Sequence, residues 1–262
     1  MNPYTVTSIA EKTWCINESD LDLCYLVEGE EKALLIDTGT GIGDLEALVR
    51  TLTDKPLLVA ATHGHGDHLG GAGQFPEAYV HPADIPMAEA ITVDSRKNYV
   101  LRMRECVPGS AHLSGDEVTQ PKYQTKFLPL EENSVIDLGG RKLTVYYTPG
   151  HTEGSVSFHD SETGILFSGD AYNRILLLIL PGEDRKEAVR TFLSYAERIR
   201  EQQMQIRFFA GGHDCPVDER VFPDLIGCAN GILNGSLTPK RMKIHIFDDE
   251  FYRFGKVLLR LN

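Results

Sequence analysis

No stretch of this chain is apolar for long enough to cross a bilayer. The longest uninterrupted run, Ile175 to Leu180, has six residues, where a spanning helix needs roughly 20. Met1 to Trp14 carries polar residues where a secretory signal needs an apolar centre, so the expectation is a cytoplasmic protein that does not engage a membrane. Cysteine is sparse and unpatterned. Cys15, Cys24, Cys106, Cys215 and Cys228 are odd in number and never in Cys-x-x-Cys spacing, which fits reduced thiols rather than a disulfide framework. Positive charge is short as well: 26 Lys and Arg against 38 Asp and Glu give a formal charge of -12. That balance argues against a nucleic-acid surface and leaves a small molecule as the expected partner.

Histidine, by contrast, is concentrated. Between Thr62 and Gly71 the chain reads Thr-His-Gly-His-Gly-Asp-His-Leu-Gly-Gly, so His63, His65 and His68 stand with Asp67 inside six residues. The interleaved glycines let the backbone turn tightly and gather these groups. His63 and His65 lie two apart and share one face of an extended chain, whereas the adjacent pair Asp67 and His68 needs a turn to converge. The geometry suggests one metal ion on His63 and His65 and a second on Asp67 and His68. The plain alternative is a polar surface loop rich in histidine, but the loop follows the apolar run Leu57 to Ala61 directly.

At 262 residues the chain is long enough for one sizeable core, and a single domain over residues 1–262 is expected. Tyr4 to Ile9, Thr13 to Asn17, Leu23 to Glu28 and Lys32 to Ile36 read as a strand meander, and Leu45, Leu48, Val49 and Leu52 repeat at helical spacing. Residues 82–121 break the pattern with two helical stretches, Ile85 to Ile91 and Arg96 to Val107. They read as an insertion able to act as a lid or specificity wall, with Arg96, Lys97, Arg102 and Arg104 either meeting an anionic substrate or forming a solvated face. Strands return at Tyr123 to Leu128, Ser134 to Leu138, Lys142 to Tyr147, Ser155 to His159 and Ile165 to Ser168. Ile175 to Leu180, followed by Pro181-Gly182, reads as buried sheet or loop core, or else as an apolar rim for substrate or for a homodimer contact. A long amphipathic helix through Val189, Phe192 and Ile199 leads to the strand Ile206 to Ala210. Then come a helix from Phe222 to Leu233 and the strands Lys243 to Phe247 and Phe251 to Leu261. Two runs of strands, each followed by helices, suggest an α/β fold of two sheets packed face to face with helices outside.

The pattern His-x-His-x-Asp-His resembles the metallo-β-lactamase superfamily. Thr148-Pro149-Gly150-His151-Thr152, Ser168-Gly169-Asp170 and Gly211-Gly212-His213 resemble its remaining metal motifs in the same order. The resemblance runs from Leu35-Ile36-Asp37-Thr38-Gly39 to His213 and implies the αββα sandwich of two mixed sheets. It implies a three-nitrogen site of His63, His65 and His151, a neighbouring site of Asp67, His68 and His213, and Asp170 bridging the two. It also implies that Asp37 steadies the metal histidines, although a turn or helix-capping aspartate reads equally well there. Tyr172 stands where lactonase-like members use a tyrosine to aid the leaving group; a core or rim tyrosine is the alternative.

Two divalent ions bring four positive charges, of which Asp67, Asp170 and a bridging hydroxide would remove three. The remainder lowers the pKa of bound water by roughly eight units and stabilises an oxyanion. Zinc suits this nitrogen and oxygen set best, and iron and manganese also fit. No cysteine occupies a motif position, whereas antibiotic-hydrolysing members of the superfamily commonly carry one. The resemblance therefore points to a hydrolase that cleaves a thioester or lactone by attack of a metal-bridging hydroxide, with Asp67 as a catalytic residue. Phosphodiester hydrolysis is the second reading, and a non-catalytic or redox di-metal protein is the rival from another class.

Overall fold

The computed structural model describes residues 3–180, 184–202 and 204–261; the Pro181-Gly182 pair lies outside them. The chain opens with β1 (Tyr4–Ala10), β2 (Thr13–Glu18), β3 (Asp22–Glu28) and β4 (Ala33–Ile36), an antiparallel meander. Helix α1 (Leu45–Leu52), capped by the Asp44 carboxylate on Ala47 N, then crosses over to β5 (Leu57–Ala60), which pairs with β4 in parallel. The short α2 (Gly66–Leu69) follows, then β6 (Glu77–Val80), α3 (Ile85–Glu89), α4 (Val93–Met103) and β7 (Lys126–Pro129). The first sheet runs in simple order from β1 to β7.

The second sheet holds β8 (Val135–Asp137), β9 (Lys142–Tyr147), β10 (Val156–Asp160) and β11 (Ile165–Gly169). After β12 (Ile175–Leu178) and helix α5 (Arg185–Glu201), β13 (Phe208–Gly211) joins it beside β11 in parallel. Strand β4 shows why the two sheets stack. Leu34 and Ile36 pack with Val145, Phe158 and Phe167 of the second sheet, while Ala33 and Leu35 pack with Leu45 and Val49 of α1. Both faces are buried, so the strand reads as an unbroken apolar run. On the far side α5 and α6 (Val221–Leu233) close over a core containing Phe192, Leu225 and Ala229.

The sandwich of two mixed sheets is present, and a third sheet adds to it. β12 pairs in parallel with β16 (Val257–Leu261), which continues through β15 (Phe247–Phe254) to β14 (Lys240–Ile244). The strand expected from Phe251 to Leu261 is therefore two strands. Gly255, at φ +50, turns the chain between them. No helix of the described residues is long and apolar enough to cross a membrane.

Candidate metal centre

Four strand ends deliver the candidate ligands to one place. β5 leads into the 62–68 loop, the β9–β10 connection carries His151, β11 ends just before Asp170, and β13 ends before His213. Backbone bonds fasten these ends to one another: Val156 N to Thr62 O at 2.8 Å, Thr38 N to His68 O at 2.7 Å, Gly212 N to Gly169 O at 2.9 Å and Leu23 N to Gly212 O at 2.8 Å. Close approach explains two of the glycines. A Cβ on Gly212 would lie 2.4 Å from Asp170 Oδ1 and 2.5 Å from His68 Cε1, and one on Gly169, at φ +47, would lie 2.3 Å from Thr62 Oγ1.

His63 Nε2 lies 3.1 Å from His65 Nδ1, which lies 2.9 Å from His151 Nε2. The other nitrogens of two of these rings are already committed. His151 Nδ1 is 2.9 Å from the Leu177 carbonyl and must donate to it. Thr62 Oγ1 gives its single proton to Asp37 Oδ2 at 2.8 Å, so His63 Nδ1, 3.1 Å away, donates to that hydroxyl. Both rings therefore turn a lone pair inward. Burial and the neighbouring imidazoles push His63 well below the usual histidine range, and burial pushes His151 down to about 4. Ring nitrogens converging in this way suit a cation between them, and their separations are close to the ~3.3 Å that tetrahedral zinc ligation gives.

His68, fully buried, turns Nδ1 toward Asp37 Oδ2 at 3.0 Å, and its Nε2 has no hydrogen-bond partner among the described residues. That nitrogen lies 3.4 Å from Asp170 Oδ1, while Asp170 Oδ2 lies 3.5 Å from His151 Nε2 and 3.4 Å from His213 Nε2. One carboxylate thus faces both clusters of imidazoles. Burial opposes its ionisation, but His213 and His68 outweigh that and hold the Asp170 carboxyl well below the usual range. Burial likewise opposes a proton on His213, and Asp170 outweighs it, raising His213 to about 9. Orphaned, buried and convergent donors of this kind suit divalent metal ions.

Asp37 occupies a left-handed backbone position, φ +61, and its carboxylate accepts from Thr62 N at 2.7 Å besides contacting Thr62 Oγ1 and His68. It caps no helix. Asp67 lines the same cavity, under the influence of His68 and His213 and close to the Tyr99 hydroxyl. It is not among the groups whose ligand atoms converge within 4.8 Å; Asp22 stands there instead, with His68 and His213. Tyr172 is not brought to the site. Asp170 directly follows β11, and two residues later the Tyr172 ring is buried against Phe192, Phe209 and Phe222 under the outer helices, away from the cavity wall.

Two carboxylates escape a reading of the sequence. Asp84, 1% exposed, accepts from Gly64 N at 2.8 Å, Thr152 Oγ1 at 2.6 Å and Gly154 N at 2.9 Å, tying the 62–68 loop to the loop of His151. Asp22 opens an apolar strand. The only signal for either is an acidic residue bordering a buried run.

Above the centre lies a cavity of about 830 Å³ with His65, Asp67, His151, Asp170 and His213 on its floor. One wall comes from the 82–121 segment, with Ile91, Met103 and Val107. The opposite wall is β12, whose Ile175 and Leu177 face the cavity while Leu176 and Leu178 enter the core. The apolar run is thus both core and rim. Of the four basic residues noted in the segment, Arg96 is buried and donates to Thr40 O at 3.3 Å and Thr119 O at 2.8 Å. Arg102 is exposed on the cavity wall, as is Arg174, the residue just before β12.

Layered sheets with an imidazole and carboxylate cluster at the strand ends define a metallo-hydrolase type of fold. A sequence profile of the Metallo-beta-lactamase superfamily matches residues 22–197, and the chain belongs to that superfamily. Among curated relatives, Acyl-coenzyme A thioesterase MBLAC2 of Bos taurus is 37% identical over 172 residues, covering 60% of this chain and 61% of that protein. Its Homo sapiens counterpart is 36% identical over 172 residues, with the same shares of 60% and 61%. The chain spans about three fifths of the length of these relatives. A metallo-beta-lactamase family protein from Thermus thermophilus superposes with a TM-score of 0.58 at 19% identity, covering 89% of this chain and 85% of that one. The stereoselective inverting sec-alkylsulfatase Pisa1 from Pseudomonas sp. gives 0.65 at 17% identity, over 89% of this chain and 42% of that one. At these identities the two structures share the fold.

Proposed function

We propose that this chain is a metal-dependent hydrolase of small-molecule thioesters. The observation that carries the reading is the floor of the cavity, where inward lone pairs and the two-sided Asp170 carboxylate meet beneath apolar walls. His63, His65 and His151 would hold one ion; His68 and His213, with Asp67, would hold a second; Asp170 would serve both. Zinc suits this donor set best. Bound there, divalent ions supply Lewis acidity and bring the pKa of a water toward neutrality.

The chain's own residues prepare the reaction. Thr62 and Leu177 fix the tautomers of His63 and His151, so no proton has to leave those rings before they act as ligands. Ile91, Met103, Val107, Ile175 and Leu177 offer an acyl group a dry surface beside the floor. Arg102 and Arg174 have no ion-pair partner among the described residues and suit an anionic group on the leaving thiol. The thioesterase relatives support the same bond class. All five cysteines are free, which supports a reducing compartment such as the cytoplasm.

The two arginines also favour a second reading, a phosphodiester hydrolase. Assaying acyl-coenzyme A thioesters, lactones and bis-aryl phosphates with zinc, manganese and iron separates the two. Thioesters turning over at least tenfold faster than the others supports the first reading, and preference for the phosphate establishes the second.

A further inference from the structure

Asp22 begins β3 and is fully buried. Its Oδ1 lies 3.4 Å from His68 Nδ1, the nitrogen that Asp37 Oδ2 approaches at 3.0 Å. A single N–H cannot serve two carboxylates in full. Asp37 has Thr62 N and Thr62 Oγ1 besides, but Asp22 Oδ1 has no hydrogen-bond partner among the described residues, and Asp22 Oδ2 meets the Cys24 thiol at 3.7 Å. A thiol is a weak donor. Among the described residues the ion-pair contacts of Asp22 involve His68 alone. A carboxylate buried with so little support is costly unless a cation lies close. Asp22, His68 and His213 can each offer a ligand atom within 4.8 Å of the others, and the bond from Leu23 N to Gly212 O, 2.8 Å, fastens β3 beside the turn of His213.

We infer that Asp22 is a positioning residue of the metal centre. With Asp37 it holds His68 by Nδ1 so that Nε2 faces Asp170, and it supplies the fourth carboxylate of a set completed by Asp37, Asp67 and Asp170. The inference rests on the centre being metal-binding and is indifferent to which ester is cleaved. It carries an unusual signature. Asn keeps the size of Asp22 and removes its charge, and Asp22 Oδ1 has no hydrogen-bond partner among the described residues to lose, so the change weakens ion binding while the stability of the apoprotein stays close to that of wild type.

Zinc titration of wild type and Asp22→Asn against a chromophoric chelator, together with thermal melts of the chelator-stripped proteins, tests this. In Asp22→Asn the first zinc stays close to wild-type affinity, the second weakens by about 10- to 100-fold, and the stripped protein melts no lower than wild type. Asp22→Ala gives the same selective weakening, so the result does not hang on one substitution. Wild-type affinity for both ions in a folded Asp22→Asn overturns the inference, as does equal weakening of both ions with a lowered apoprotein melt. A wild-type protein that binds no zinc overturns it together with the metal-centre reading. A wild type that binds two zinc ions but cleaves no thioester overturns the substrate assignment alone.

Discussion

Around His63 and His151 the outward ring nitrogens meet neutral oxygens, the Thr62 hydroxyl at 3.1 Å and the Leu177 carbonyl at 2.9 Å. His68, in the neighbouring half of the same centre, turns its outward nitrogen to two carboxylates instead, Asp37 at 3.0 Å and Asp22 at 3.4 Å. A neutral acceptor fixes a tautomer without adding charge, so His63 and His151 are held as neutral rings with a lone pair turned inward. The carboxylate-rich half instead gathers Asp22, Asp37 and Asp170 around His68, a set that suits a cation. The two halves should therefore respond differently to the same kind of injury.

The strongest way to break the comparison is to remove the group common to both halves. Asp170→Ala takes the carboxylate that faces His68 with one oxygen and His151 and His213 with the other. Turnover should fall by roughly 10³-fold or more, since a bound ion supplies several kcal/mol of transition-state stabilisation. Metal analysis should find less than one ion per chain; retention of two would show that Asp170 is not shared.

Next in size is Asp84→Ala. It leaves Gly64 N, Gly154 N and Thr152 Oγ1 without their acceptor, which costs about 3 kcal/mol of stability, read from urea unfolding. Asp84 braces the 62–68 loop, which carries ligands of both halves, against the loop of His151, which belongs to the nitrogen-rich half alone, so the first zinc should weaken more than the second. Thr62→Val is a finer cut. It deletes the hydroxyl between His63 Nδ1 and Asp37 and should weaken the first ion by about 10- to 100-fold while sparing the second, the reverse of Asp22→Asn. Equal effects on both ions would erase the distinction between the halves.

The smallest effect is a control lying in neither half. The Tyr172 hydroxyl is buried without a partner among the described residues, so Tyr172→Phe should leave turnover unchanged and stabilise the fold by about 0 to 1 kcal/mol. A loss of turnover would return that hydroxyl to the chemistry.

The candidate site was legible to the extent that its chemistry is local. His63, His65, Asp67 and His68 announce themselves because four candidate ligands and their glycines fall in one loop. The resemblance extended that to His151, Asp170 and His213, which the fold brings alongside. Asp22 and Asp84 were not legible: each acts on residues far along the chain, and a lone aspartate at a strand or turn has no local signature. Tyr172 misled because sequence distance from Asp170 does not give side-chain direction; the turn after β11 sends its ring under the outer helices. The charged stripe on α4 likewise concealed two different roles, Arg96 bracing the 40–41 backbone and Arg102 facing the cavity. In the fold, the apolar runs of the first two sheets were readable from periodicity, whereas β14 and β15 are half-exposed and polar enough that their pairing with β12 through β16 shows only in three dimensions. Within the 82–121 segment Val100, Met103, Leu113 and Val118 share a core with Leu21 and Ile42, and Asp84 ties the 62–68 loop to the loop of His151.

Anomalous diffraction from zinc-soaked crystals tests the central claim most directly. Two peaks are expected, one enclosed by His63, His65 and His151 and the other by His68 and His213, with Asp170 between them. A single peak, or zinc bound elsewhere while these side chains stay as they are, would contradict it.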